Sequence, residues 1–456
     1  MSERIEGSNQ DNNLSTKITQ LIRVYPDERW LFIVLGLVFF CNSLATQIAS
    51  VASVSGFLKG NGIEQIPLVW IIDMLVITLT AGLQSLIIDK FERTKLVKAM
   101  TVGFALVFIA LRLLFFWNAP DWLNYGLMII ISEQQWLFFP LVFWTLAQDV
   151  FSVAQAKRLF SPIASLGFVG RLVGLGLVSA SPYLVEKIGI AAEELLILNV
   201  AVYLAAYLLV VFGLKKVDVR QTSEQRGSMR EIFAEGWEFV NNIPAFRYLT
   251  ISIFAINLSL TFLEFGFLAS THQAYPDNFQ TFYGLYRLGL TVLSFILQGF
   301  VTSRLIEKLT LKNSFLIMPF ALFGGALWMM FSGVVSAIGG FVLPKVAQFT
   351  AYDSARRSFQ ALAPEERRGR VSMFMESYLF ALGVIVASLL IFGILFASRW
   401  IGEQTSTLIY RGLGVATSLW AVWAIIKMRQ VYDDGMLNWR LKRRQRGASV
   451  LDKLKF

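Results

Sequence analysis

Nine charged residues fall inside stretches of sequence that are otherwise apolar. Asp73, Glu133, Glu264 and Glu376 are acidic; Arg112, Arg171, Arg287, Lys345 and Arg411 are basic. A charge at bilayer depth costs at least about 2.5–3.5 kcal/mol on insertion scales, so each must face a cavity or an opposite charge. Glu264 carries the most weight. Asn257 and Thr261 precede it at helical spacing, making a polar stripe on an apolar segment that runs on to Ser270, Thr271 and His272. Such a carboxylate can line a pathway and couple to a solute, or it can close an ion pair with Arg287. Glu133 lies in the patch Ser132-Glu133-Gln134-Gln135, which no lipid-facing surface favours. Arg171 and Arg287 suit an anion, because a guanidinium grips phosphate or carboxylate oxygens in pairs. An interhelical salt bridge is the other use for each. Lys345 adds a third cationic contact, and Arg112 reads as structural or snorkelling.

The elements that must position these residues follow from composition. Of 456 residues, 55% are hydrophobic and only 16% charged, where a soluble domain carries about a quarter. Twelve helical spans of roughly 20 residues would use most of the apolar content. A soluble enzyme is excluded, as are disordered and disulfide-framework classes; Cys41 is the single cysteine. Apolar segments lie near 30–57, 66–88, 97–117, 123–149, 160–184 and 194–214, then near 248–270, 279–304, 314–332, 334–355, 371–397 and 406–427. The expected fold is an all-α integral membrane protein of about 12 transmembrane helices in two six-helix bundles, major-facilitator-like. Its parts are an N-terminal segment 1–29, a bundle 30–214, a linker 215–247, a bundle 248–427 and a basic tail 428–456.

The net charge of +10 is a matter of topology. With an even number of spans, 33 Lys/Arg fall on the side of the termini. Three, Lys59, Lys187 and Arg399, fall on the other. The positive-inside rule then makes both termini cytoplasmic, in a multi-pass protein of the cell inner membrane. The partners expected are the lipid bilayer and a small-molecule substrate, with no role for nucleic acid. No signal peptide is recognisable.

Within the linker, Ser228-Met-Arg-Glu231 has capping-box spacing before an amphipathic run, predicting a short surface helix. Arg440, Lys442, Arg443, Arg444 and Arg446 predict a headgroup-binding tail. Asp149 before Lys157 and Arg158 is echoed by Asp353 before Arg356 and Arg357. These residues at span ends, with Arg370, are candidate gate charges; plain helix-end electrostatics is the alternative. Gly167, Gly170, Gly174 and Gly176 read as close helix packing. No P-loop, H-E-x-x-H or G-x-S-x-G motif is present, and the lone His272 lacks companions for a metal, so no enzyme, cofactor or metal is expected.

Several segments resemble the ATP/ADP translocase family of plastids and intracellular bacteria. Phe143-Trp144-Thr145-Leu146-Ala147-Gln148 with Ala156-Lys157-Arg158-Leu159-Phe160 is similar to that family's F-W-G-x-A-N and A-K-R-F-Y. Gly62-Ile63-Glu64-Gln65-Ile66-Pro67 resembles its G-A-E-x-I-P. Ile256-Asn257-Leu258 and Glu264 match an I-N-L and following glutamate. Phe349 to Arg356 and Pro364 to Arg370 parallel two later charged stretches. The family's charged D-T-K-D run is replaced by Ala49-Ser50-Val51-Ala52, and a lysine after the glutamate by Leu268. The resemblance implies transport of nucleotides, ATP:ADP antiport-like, or of a related organic anion through a major-facilitator bundle, and the transport architecture carries over better than the substrate does. Two other functions stay open: a proton-coupled carrier or exporter of another small solute, with Glu264 or Glu133 as proton site, and a non-transporting membrane scaffold.

Overall fold

A computed structural model describes residues 24–87, 91–188, 194–215, 237, 240–353, 355–356 and 374–453. Among them, twelve helices of fourteen residues or more follow one another and no strand occurs. They are α1 Pro26–Asn61, α2 Ile66–Ile87, α3 Arg93–Phe116, α4 Asp121–Val150, α5 Val153–Ile188 and α6 Glu194–Gly213. After the linker come α7 Pro244–Ala274, α8 Phe279–Phe300, α9 Thr302–Met329, α10 Val334–Ala347, α11 Leu379–Ile401 and α12 Glu403–Lys453. A π-helical turn, Gln348–Tyr352, prolongs α10, and another, Phe374–Tyr378, leads into α11. Ten helices are long and apolar enough to cross a membrane. The remaining two are α8, diluted by Gln280, Tyr283, Tyr286 and Arg287, and α9, which opens on Ser303, Arg304, Glu307 and Lys308. Even the 22 residues of α8 extend about 33 Å at 1.5 Å each, enough for a hydrocarbon core of about 30 Å. The protein is an all-α, multi-pass membrane protein.

Boundaries shift where local chemistry says they should. α1 begins at Pro26 rather than Trp30, because proline suits the first helical position and Asp27 and Glu28 favour the first turn. Gly62 (φ 77°) ends it, and Gly402 (φ 83°) separates α11 from α12; both φ values suit glycine best. Through the basic tail α12 continues as a helix to Lys453. Most of the predicted linker helix (residues 216–236, 238 and 239) and the candidate gate residue Arg370 lie outside the described residues.

The chain divides into two compact units. Unit 1 comprises residues 1–60, 86–225 and 280–288; unit 2 comprises 61–85, 226–279 and 289–456. In unit 1, α1 is the most buried span. Phe39 of α1 stacks on Phe143 of α4 at 4.8 Å and meets Trp144 edge-on at 5.2 Å. Phe160 of α5 closes on Trp144 at 5.2 Å and on Phe151 at 6.4 Å. The aromatic residues of the F-W and L-F segments therefore form one core.

α5 comes close to α1 through its glycines. A Cβ at Gly167 would overlap the Phe39 ring, and one at Gly170 the Phe40 carbonyl. A Cβ at Gly174 would lie 2.6 Å from Leu44 O, whereas one at Gly176 meets nothing. Backbone cannot yield cheaply, so Gly170→Leu should lower stability by at least about 1–3 kcal/mol. Gly176→Leu should change it little. Thermal unfolding of the two purified variants checks the contrast.

Unit 2 is built around α7, the most buried of the ten candidate spans among the described residues. Ser259 Oγ donates to Gly414 O of α12 at 2.9 Å, and Phe265 meets Tyr410 edge-on at 5.2 Å. Phe267 stacks on Phe341 of α10 at 4.9 Å. Gly383 brings α11 against Asn257 and Phe254 of α7.

Candidate functional site

In unit 1 the polar residues of three helices converge. Gln135 Nε2 (α4) donates to Tyr203 Oη (α6) at 2.7 Å, and Tyr203 Oη donates to Asn42 Oδ1 (α1) at 2.9 Å. Asn42 Nδ2 in turn reaches Gln135 O at 3.4 Å. All three are buried to 2% exposure or less, so these bonds satisfy groups that would be costly alone. Gln135, picked out with Glu133 as part of a polar patch, is thus a structural strut. Glu133 itself is half-buried.

Arg171 stands apart. Its side chain is exposed on α5. Among the described residues no carboxylate pairs with it. Another cation, Arg287, acts on it electrostatically. Arg287, in the first half of α8, donates from Nη1 to Ser50 Oγ of α1 at 2.5 Å. Its guanidinium also lies 5.8 Å from the Tyr283 ring, which stacks on Tyr286. Gln280, two turns earlier on α8, donates from Nε2 to Ser181 Oγ at 2.7 Å and to Val178 O at 3.2 Å. Arg287 is thereby held in place.

In unit 2, Glu264 is half-buried on α7 and makes no ion pair among the described residues. Its neighbours on the stripe serve their own helix: Asn257 Nδ2 donates to Ile253 O at 2.9 Å, and Thr261 Oγ1 to Asn257 O at 2.9 Å. Lys345 Nζ lies 5.1 Å from the Phe341 ring, a cation–π contact. Arg411 packs among Phe262, Leu263, Ala326 and Met329. His272 meets Phe279 edge-on. Among the described residues no three His, Cys, Asp or Glu side chains cluster as a metal site.

Four of the candidate gate charges, Asp149, Arg158, Asp353 and Arg356, are in ion pairs. Asp149 lies 3.3 Å from Arg93, both side chains almost fully buried. Arg158 bonds Glu28 at 2.8 Å and covers the Tyr25 ring at 4.5 Å, and Gln155 also reaches Glu28, at 2.9 Å. Asp353 lies 3.7 Å from Arg356 one turn on. Lys157 belongs to α5, but its side chain is outside the described set. Arg112 pairs with Glu194 at 2.8 Å, the structural use expected of it. Arg93, Glu28, Asn42 and Tyr203 were not singled out in the sequence. Asn42 and Tyr203 could have been, as polar groups inside strongly apolar spans; Arg93 and Glu28 look like ordinary turn charges.

No family model matches the sequence, and no curated protein does. Solved structures do. A point mutant of the nucleoside transporter NupG aligns with TM-score 0.66 at 15% identity, covering 87% of this chain and 99% of that one. A bacterial homologue of the iron transporter ferroportin, inward-facing, gives 0.64 at 16% identity, with 89% and 100% covered. The POT family transporter PepTSo gives 0.61 at 12%, with 88% and 98% covered. At these identities the likeness is one of fold.

Proposed function

We propose that this chain is a secondary transporter that moves a small organic anion, of nucleotide type, across the cell inner membrane by alternating access. The bundles 30–214 and 248–427 are the moving parts, and both termini face the cytoplasm. The observation that carries the reading is Arg171, an exposed cation within an apolar span that lacks a carboxylate partner among the described residues and feels the charge of a second arginine. An unneutralised guanidinium in a span is costly, and a visiting phosphate or carboxylate is what offsets that cost. The fold by itself chooses no substrate, since a nucleoside transporter, an iron-transporter homologue and a POT transporter align about equally well. The segment likeness to ATP/ADP translocases favours nucleotides, while Ala49–Ala52 and Leu268 remove family charges and favour a less charged anion than ATP.

Glu264 supports a second reading, proton coupling, because a carboxylate in a span without an ion-pair partner is a natural proton site. Proteoliposomes separate the two. Exchange of labelled ADP against internal ADP should persist with an uncoupler if the mechanism is antiport. Collapse of uptake with the uncoupler, together with its loss in Glu264→Gln, would assign proton coupling instead. Full activity in Glu264→Gln removes Glu264 from the mechanism.

A further inference from the structure

The polarity that keeps α8 out of the ten apolar spans is ordered along one face. Gln280, Tyr283, Arg287, Thr291, Ser294 and Gln298 recur at three- and four-residue spacing. At 100° per residue they fall within about 80° of arc. Leu285, Leu293, Ile296 and Phe300 fall on the opposite side and are exposed. The polar stripe runs about 27 Å along the axis, nearly the depth of a hydrocarbon core of about 30 Å. Its two halves are used differently. In the first, Gln280 and Arg287 bond to α5 and α1. In the second, Ser294 Oγ turns back on its own helix, donating to Leu290 O at 2.6 Å. Gln298 is exposed and has no hydrogen-bond partner among the described residues. Thr291 is half-buried and lies about 18 Å and 14 Å from the two ends of α8, too deep to meet headgroups.

We infer that this stripe faces the aqueous path of the transported solute, with Thr291 and Gln298 as its hydrogen-bonding contacts and Arg287 as an anchored cation on the same line. A membrane helix that is apolar on one side and polar along its whole length on the other has one face for acyl chains and one for water. Hydroxyl, amide and guanidinium groups in one row suit a hydrophilic solute that exchanges hydration for a series of weak contacts as it moves. The identity of that solute rests on the transport reading, whereas the water-facing stripe stands on α8 alone.

Cys41 is the only cysteine in the chain, so Cys41→Ala gives a thiol-free background. Thr291→Cys, Ser294→Cys and Gln298→Cys on the stripe, and Leu293→Cys and Ile296→Cys on the apolar side, are introduced singly. The full-length protein in proteoliposomes is treated with a charged, membrane-impermeant methanethiosulfonate. Thr291→Cys and Gln298→Cys should react at least about tenfold faster than the two apolar-side cysteines at similar depth, because thiolate and reagent both need water. Ser294→Cys, the smallest change in shape, supplies a second deep position should Thr291→Cys fail to fold. Excess ADP should slow the stripe reactions. Fast reaction that ADP does not slow keeps the stripe as a water path and contradicts the nucleotide reading instead. Unreactive thiols at both deep stripe positions, even with a reactive Gln298→Cys near the helix end, overturn the stripe. So does Ile296→Cys or Leu293→Cys reacting as fast as the stripe cysteines.

Discussion

Substitution of Arg171 by glutamine is expected to cut uptake of an anionic solute at least about 30-fold without unfolding the protein. Removing one partner of a desolvated charge pair costs about 2–5 kcal/mol, and 2 kcal/mol corresponds to roughly 30-fold in binding. Arg171 makes no ion pair that its loss would orphan among the described residues, so thermal stability should hold or rise slightly as repulsion from Arg287 is relieved. Arg171→Lys keeps the charge but not the paired donors and should fall between. Arg112→Gln serves as the contrast. It leaves Glu194 unpaired, so it should lower stability while leaving the affinity for the solute unchanged. A weakened KM in Arg112→Gln and an unaltered one in Arg171→Gln would reverse the assignment.

The second large effect concerns Arg93 and Asp149. Arg93 opens α3 and Asp149 nearly closes α4, so each charge sits at the helix end that disfavours it. Their 3.3 Å approach offsets both penalties. Deleting one leaves the other charge buried and uncompensated, a loss of about 3–5 kcal/mol. Arg93→Ala and Asp149→Ala should each lower Tm markedly, while the double substitution Arg93→Ala/Asp149→Ala should recover part of the loss. Losses that simply add in the double variant would show that the two groups act separately.

The fold was legible because apolar runs of about 20 residues have few alternatives in a bilayer; among the described residues each of the twelve expected spans overlaps a helix, and ten of those helices are long and apolar enough to cross a membrane. Pro26 and the uninterrupted α12 escaped because a polar composition does not by itself end a helix. The packing use of Gly167, Gly170 and Gly174 was legible from spacing alone. Side-chain roles were less so. The best family-like segments, around Phe143-Trp144 and Leu159-Phe160, build an aromatic core rather than a crevice. Gln135 proved to be a strut, and Arg158 a clasp on Glu28. What distinguishes Arg171 from Arg112, both single arginines in apolar helices, is the presence or absence of an acidic partner 82 residues away in the chain. No local pattern records that.

The central claim, an anion carried by arginine contacts, is tested most directly by a pair of solutes that share a base and differ in charge. Labelled ADP and labelled adenosine are offered to proteoliposomes preloaded with the same unlabelled solute. Saturable entry of ADP that is lost in Arg171→Gln, with adenosine excluded, is the predicted result. Entry of adenosine but not ADP, or ADP entry indifferent to Arg171, would contradict it.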